Sequence, residues 1–372
     1  MLSDIRGVID CDLHPTIPKI GQIFPYISQE WRRVMEYRKD ALFFTQIPGR
    51  QPRWSATFNQ IDAAPPGGGA PGSDPQWMAR HYLDQHDIET GILLGIDGSR
   101  VDAWSVVDEA AVVASGFNNL MAEEWLPQDR RFRMCMLVSP HDPQLAADEI
   151  RRFGSTQGVV GVWIPLLNQL LGTRYYWPIY DAAQELGLPI IAHPTGSTGD
   201  VIGPPVYAGG NPGSRFEHYT LLPEFGISNV CSLVYEGIFE RFPGLNFLFY
   251  EFGWTWLPGF MWRWDSVWQA GRPGFPWLKK APSEYIREHI RFSTQPCLEI
   301  PSEVELEGVL NLFDSENSLI FTSDYPHWDA ERPETVFRNQ SAAFRQKIFR
   351  DNAIKFFGER ILTPDYAKQE VG

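Results

Sequence analysis

The strongest constraint in this sequence is a recurrence of short, continuous apolar runs with amphipathic segments between them. Runs fall at residues 7–11 (GVIDC), 89–95, 132–138 (FRMCMLV), 158–164 (VVGVWI), 188–192 (LPIIA), 246–250 (NFLFY), 289–293 and 318–322. A strand with one wet face alternates apolar and polar residues, whereas a strand covered on both faces reads as an unbroken apolar run. The intervening segments, near 76–86, 106–124, 143–153, 177–187, 217–241, 257–268 and 302–313, carry helical spacing. Eight such strands alternating with helices predict a (β/α)8 TIM barrel. A doubly wound open sheet is the alternative, but no GxGxxG follows the first strand to support a nucleotide site. With 372 residues and 43% hydrophobic content, the chain can fill a large core. Residues 333–358 predict two extra C-terminal helices, and two Gly/Pro-rich stretches, 45–75 and 194–216, predict long loops. The second follows a strand ending in His193 and is expected to face substrate; the first reads equally as a lid or as a surface insertion.

The polar residues that interrupt this pattern gather at strand C-terminal ends, the face where barrels of this type keep their active sites. Strand 1 ends Asp10-Cys11-Asp12-Leu13-His14. Side chains alternate along a strand, so Asp12 and His14 point the same way. Strand 5 ends in His193, and strand 8 runs into Asp324 and His327. Each signal alone has an ordinary reading: a chance triplet, a strand-end hydrogen-bonding His, a turn Asp. Together, Asp12, His14, His193 and Asp324 predict an open site for one divalent metal ion, with Zn, Mn or Fe(II) suited to imidazole and carboxylate ligands. Phe43, Phe44, Trp54, Trp163, Tyr207, Trp254, Trp256 and Trp328 fall in or near strand-end loops, which predicts a bulky apolar or ring-bearing substrate. Trp163, Trp254 and Tyr207 are the candidate substrate-binding aromatics. Arg50 and Arg215 are candidates for pairing with a substrate carboxylate, with Arg53 in the same loop as Arg50. His81, His86, His141, His218 and His289 read as structural.

Charge and cysteine usage narrow the partners. There are 32 basic against 46 acidic residues, a net charge of −14, so nucleic acid is excluded as an expected partner. The four cysteines are scattered without a CxxC pair and read as free thiols, which fits the cytoplasm. The N-terminus lacks the layout of a signal peptide, and no apolar run is long enough to span a membrane.

The stretches VIDCDLHP, GVVGVWIP, LGLPIIAHP, FPGLNFLFYEFG, FTSDYPHWD and DNAIKFFG resemble the amidohydrolase superfamily. They are most similar to its amidohydrolase-related branch, which includes aminocarboxymuconate-semialdehyde and γ-resorcylate decarboxylases. The resemblance covers nearly the whole chain and implies one amidohydrolase-like barrel domain over residues 1–372, with a homodimer as the family expectation. It implies that Asp12 and His14 take the place of the strand 1 HxH or ExH, His193 that of the strand 5 His, and Asp324 that of the metal-binding, proton-handling Asp. Two departures carry weight. Strand 4 offers Trp163 where many amidohydrolases keep a carboxylated Lys, which implies a mononuclear site. Strand 6 ends in Glu251 where the branch usually has His. Glu251 reads as a base, a partner of the metal-bound water or a further ligand, or else as an ion-pair partner of Arg263. His327 reads as a donor to Asp324, a substrate-orienting group or a plain loop residue. The leading expectation is metal-dependent hydrolysis of an ester, thioester, lactone or amide, with Asp324, Glu251 and His327 as catalytic residues. The alternative is nonoxidative decarboxylation of an aromatic or enoic acid, against which Glu251 counts because its added negative charge would oppose binding of a substrate carboxylate. A third reading is a catalytically inactive metal-containing binding protein.

Overall fold

Eight parallel strands lie side by side in chain order: β1 (Val8–Leu13), β2 (Ile88–Leu93), β3 (Phe132–Leu137), β4 (Val159–Pro165), β5 (Ile190–His193), β6 (Phe247–Phe249), β7 (Ile290–Ser293) and β8 (Leu319–Ile320). In this computed structural model, residues 5, 7–17, 19–38, 59–104, 106–195, 215–297 and 299–362 are described. Every strand is buried along its length apart from Glu89 in β2, which is why the runs are predominantly apolar, with Asp10, Asp12, Thr90, Arg133 and Arg291 among the buried exceptions. Parallel neighbours need a crossover, and the helices supply it. The result is the nearly closed (β/α)8 barrel expected from the alternation.

All seven expected helices begin within two residues of their sequence positions, Pro143–Phe153 matching at both ends. Three α-helices among the described residues were not read from the sequence. Gln29–Arg38 is rich in charged residues and buries Met35, Pro282–His289 is a short amphipathic helix of about two turns that opens on a proline, and Ser315–Ser318 is a single turn. At the C-terminus only one of two expected helical stretches forms. Residues 342–357 are helical, whereas 333–341 are mostly turns. The four cysteines are free. No helix among the described residues is long and apolar enough to cross a membrane.

Two features set the geometry of the barrel mouth. The loop after β1 is walled by residues 59–75, the described part of the first long loop. Thr16 N donates to Gly72 O (2.8 Å) and Gln60 N donates to Pro326 O (2.8 Å). Gly72, at φ +77°, sits so close that a Cβ there would come within 2.6 Å of His14 O, so this stretch is docked against the ligand strand. The second feature is Asn118, on the helix Val107–Leu120. Its side chain clasps the end of β3, donating to Leu137 O (2.8 Å) and accepting from Leu137 N (2.8 Å). Both backbone groups are buried, and an unmet buried group costs roughly 1–3 kcal/mol. Asn118→Ala is therefore expected to lose roughly 2–4 kcal/mol of stability in urea denaturation; a loss well below about 1 kcal/mol would show that the clasp is not holding β3.

Candidate metal centre

The site is assembled from the ends of β1, β5, β6 and β8. Asp12 and His14 project from the same face of β1, as the alternation requires. His14 Nδ1 donates to Leu94 O (3.0 Å), and His193 Nδ1 is engaged by Pro194 O. Each imidazole thus keeps Nε2 for the site, the arrangement by which metal-binding histidines are oriented. His14 Nε2 lies 3.4 Å from Asp12 Oδ1, 3.6 Å from Glu251 Oε1 and 2.9 Å from Asp324 Oδ1. His193 Nε2 lies 3.6 Å from Asp12 Oδ2 and 3.1 Å from Glu251 Oε1. His327 Nδ1 sits 2.5 Å from Asp324 Oδ1, on the outer side.

These residues fit a divalent cation. One ligand atom from each of Asp12, His14, His193 and Glu251 lies within 4.8 Å of the others, and His14, Glu251, Asp324 and His327 form a second, overlapping set. Both oxygens of Asp12, Nε2 of His14 and of His193, and Oε1 of Glu251 are buried without a hydrogen-bond partner among the described residues. Five inward-facing polar atoms left without hydrogen bonds are costly unless a cation takes them.

Where the chain holds its ligands, the backbone is strained. Glu251 (φ 58°) and Asp324 (φ 66°) both occupy the left-handed region, unusual for non-glycine residues. Glu251 is pinned there by its N–H, which donates to Ser293 Oγ (3.0 Å). Its carboxylate faces His193 and His14, so the alternative of an outward pair with Arg263 is not what forms. Trp163 forms the wall beside His193, ring centroids 5.5 Å apart, in the position where a bridging Lys would stand.

The electrostatics divide the carboxylates. Burial alone would raise Glu251, but His193 and His14 outweigh it and hold Glu251 well below the usual range. Burial, then the charge of Glu251, push Asp324 well above the usual range, against the opposing pull of His14. Two carboxyl groups in one site are thereby driven apart, Glu251 towards its ionised form and Asp324 towards its protonated form. Burial would lower His193, yet Glu251 and Asp12 raise it to about 10. Burial would likewise lower His14, yet Asp12 and its other carboxylate neighbours raise it well above an ordinary imidazole.

Other candidate residues fall elsewhere. Trp254 is fully buried, packs on Phe313 (5.9 Å) and Phe337 (6.4 Å), and donates Nε1 to Thr294 O. Its indole is core, a correction to the substrate-facing position expected for it, because the chain turns at Gly253 (φ 63°) before the helix Leu257–Gly271. Arg50, Arg53, Tyr207, Phe43, Phe44 and Trp54 lie outside the described residues, and so does the side chain of Arg215, the first residue of the helix Arg215–Tyr235. His81 and His86 lie on the barrel exterior, as expected, bonded to Tyr325 and Glu334.

Two residues at the site were not read from the sequence. Gln295, buried just past β7, places Nε2 3.4 Å from Asp324 Oδ2 and 3.2 Å from Asp329 Oδ2. Asp329 is raised to about 6 by burial and by Glu251. The signal was present: Thr294-Gln295 directly follows a strand run, the position that singled out the other candidates.

A family model for amidohydrolases matches residues 9–358, and the chain belongs to that family. Among curated proteins it is similar to γ-resorcylate decarboxylase of Polaromonas sp., 25% identical over 291 residues that cover 74% of this chain and 85% of the relative. Among solved structures it is similar to 5-carboxyvanillate decarboxylase of Novosphingobium aromaticivorans, complexed with manganese and 4-hydroxy-3-methoxy-5-nitrobenzoic acid. That match has a TM-score of 0.67 and 21% identity, and covers 96% of this chain and 97% of the other. A dihydroxybenzoic acid decarboxylase of Polaromonas sp., with bound manganese and 2-nitroresorcinol, matches with a TM-score of 0.62 and 21% identity over 95% and 97% of the two chains. These relatives are decarboxylases, and they overturn the expected hydrolase. That expectation treated Glu251 as a bare negative charge that would repel a substrate carboxylate. Its charge instead faces His193 and His14.

Metal binding here must displace protons, because the imidazoles are raised by their carboxylate neighbours and ligand nitrogens must be unprotonated. The sign follows. With His193 at about 10 in the metal-free protein, its proton is held at pH 7 and must leave, so affinity falls as pH falls. Calorimetric titration with Mn(II) at pH 7, in buffers of different ionisation enthalpy, is expected to show release of at least one proton per ion. Heats that do not depend on the buffer would contradict this.

Proposed function

We propose that the protein is a Mn(II)-dependent nonoxidative decarboxylase of a hydroxylated aromatic acid. The carrying observation is the position of the Asp324 carboxyl, set between His14 Nε2 (2.9 Å) and His327 Nδ1 (2.5 Å) at the edge of the ligand cluster. Burial and the charge of Glu251 push it towards its protonated form, which suits it to deliver a proton. The amidohydrolase membership and the decarboxylase relatives support the same reading.

In this reading Asp12, His14 and His193 would hold the ion, with Glu251 and Asp324 close enough to contribute. When bound, it would supply positive charge that attracts the substrate carboxylate. The chain does the rest. Trp163 walls the site beside His193 and helps exclude water. Asp324 gives its proton to the ring carbon that bears the carboxylate. The carbon–carboxylate bond breaks, its electron pair stays with the ring carbon as the new C–H bond forms, and carbon dioxide leaves. Asp324 then regains a proton from water by way of His327 Nδ1. Gln295 holds the far oxygen of Asp324, so the proton-bearing side is presented consistently. Glu251 remains ionised and balances the imidazoles.

The test is direct. Mn(II)-loaded protein is incubated with 2,6-dihydroxybenzoate, 5-carboxyvanillate and related hydroxybenzoates, and in parallel with activated esters. Carbon dioxide release with the matching phenol is expected; ester turnover without carbon dioxide would sink the proposal. Asp324→Asn, which cannot supply the proton, is expected to lower kcat by about 10²–10⁴-fold, the usual worth of positioned acid catalysis.

A further inference from the structure

The barrel is held together unevenly, and its least regular seam is the one that carries the ligands. Neighbouring strands from β1 to β8 are joined by ladders of two to four paired residues. Between β8 and β1, among the described residues, there is no ladder but one bridge, Leu13 with Tyr325, and the backbone bonds Cys11 N to Phe321 O (3.2 Å) and His14 N to Tyr325 O (2.8 Å). Asp12 and His14 stand on one side of this seam and Asp324 on the other. A small slip there would change the separation of the ligand atoms directly.

A buried carboxylate spans the gap. Asp10 is fully buried and one full strand repeat below Asp12. Its Oδ1 accepts two backbone N–H bonds from opposite sides of the seam, Asp12 N (3.1 Å) and Ser323 N (3.0 Å). Its Oδ2 accepts the Tyr82 hydroxyl (2.7 Å). Tyr82 is itself stacked on Tyr325, ring centroids 4.5 Å apart, and Tyr325 N donates to Ser323 Oγ (3.0 Å). Three hydrogen bonds and one ring stack close a circuit: Asp10 to Ser323, Ser323 to Tyr325, Tyr325 stacked on Tyr82, and Tyr82 back to Asp10. Ser323 immediately precedes Asp324, and Asp12 N is held by the same Asp10 oxygen.

We propose that Asp10 is a positioning residue that fixes the spacing of the β1 and β8 ligands, acting through hydrogen bonds to Asp12, Ser323 and Tyr82. The inference rests on the metal-centre reading above but not on the identity of the reaction. An apolar side chain could fill the same volume, but it could not take up two N–H groups from two strands on one atom. Such outer partners of metal ligands are typically worth 10–100-fold in affinity or activity.

Asn and Ala at position 10 separate this role from general packing. Asn keeps an oxygen in the Oδ1 position for both N–H groups, and its amide can donate to the Tyr82 oxygen; Ala removes every bond. Asp10→Ala is expected to weaken Mn(II) binding by about 10–100-fold and to alter the zero-field splitting of the bound ion in EPR, whereas Asp10→Asn stays close to wild type in both. Folded Asp10→Ala with wild-type affinity and spectrum would overturn the proposal. So would Asp10→Asn as damaged as Asp10→Ala, since the role would then lie in charge. Should Asp10→Ala not fold, Tyr82→Phe carries the test. A several-fold loss of Mn(II) affinity is expected, and an unchanged affinity and spectrum overturns the idea. Wild-type protein that takes up no Mn(II) would remove the metal centre and this inference together. Intact metal binding without decarboxylation removes only the reaction.

Discussion

Three carboxylates, Asp12, Glu251 and Asp324, crowd against three imidazoles in a site where almost nothing is exposed. Much of the structure follows from making that crowd tolerable. Isolated charges cannot be buried at acceptable cost, so each carboxylate lies against an imidazole, and burial with the charge of Glu251 pushes Asp324 towards its protonated form. The imidazoles are turned by Leu94 O and Pro194 O so that their free nitrogens meet in the middle. Two of the carboxylates reach the centre only because Glu251 and Asp324 accept left-handed backbone, a strain of about 1–3 kcal/mol each that persists only where the surroundings over-determine it. The barrel provides that over-determination: Ser293 holds the N–H of Glu251, and the circuit through Asp10 holds the chain just before Asp324.

The architecture was legible because burial on both faces leaves a plain mark. β4 and β6 read as unbroken apolar runs, β3 is broken only by Arg133, and the helices between strands carry apolar stripes wide enough to see. Gln29–Arg38 was invisible because a helix that buries little has no stripe. Residues 333–341 read as helix by composition but lie mostly in turns. The placement of Asp12, His14, His193 and Asp324 near one another was legible for a geometric reason: all four close strands of a parallel barrel, and such strands all end at the same mouth.

What the sequence hid was direction. Glu251 sits one residue beyond an apolar run, as a surface ion-pair partner of Arg263 also would; only the left-handed turn at 251 aims it inward. Trp254 lies three residues further and reads as pocket-lining, yet the turn at Gly253 sends it into the core. Gln295 bears no charge and no metal-ligand chemistry, so its place between Asp324 and Asp329 leaves no mark in composition. Asp10 looked like a buried member of the same DxDxH alternation; its role depends on Ser323, more than 300 residues away, meeting it across the seam.

The choice between hydrolysis and decarboxylation turns on how a negative charge is housed. A hydrolase needs its site carboxylate free to take a proton from water. Here Glu251, the carboxylate best placed for that, is committed to two imidazoles, and Asp324, which would otherwise share the task, is pushed by Glu251 towards its protonated form. The pair therefore offers an acid where hydrolysis would first require a base. Protonation of a ring carbon requires an acid at the outset, placed against a wall that excludes water, and Asp324 beside His327 has that form. The same Glu251 that seemed to oppose a carboxylate substrate pushes Asp324 towards its protonated form, so the residue that argued against decarboxylation in the sequence is compatible with it in the folded site.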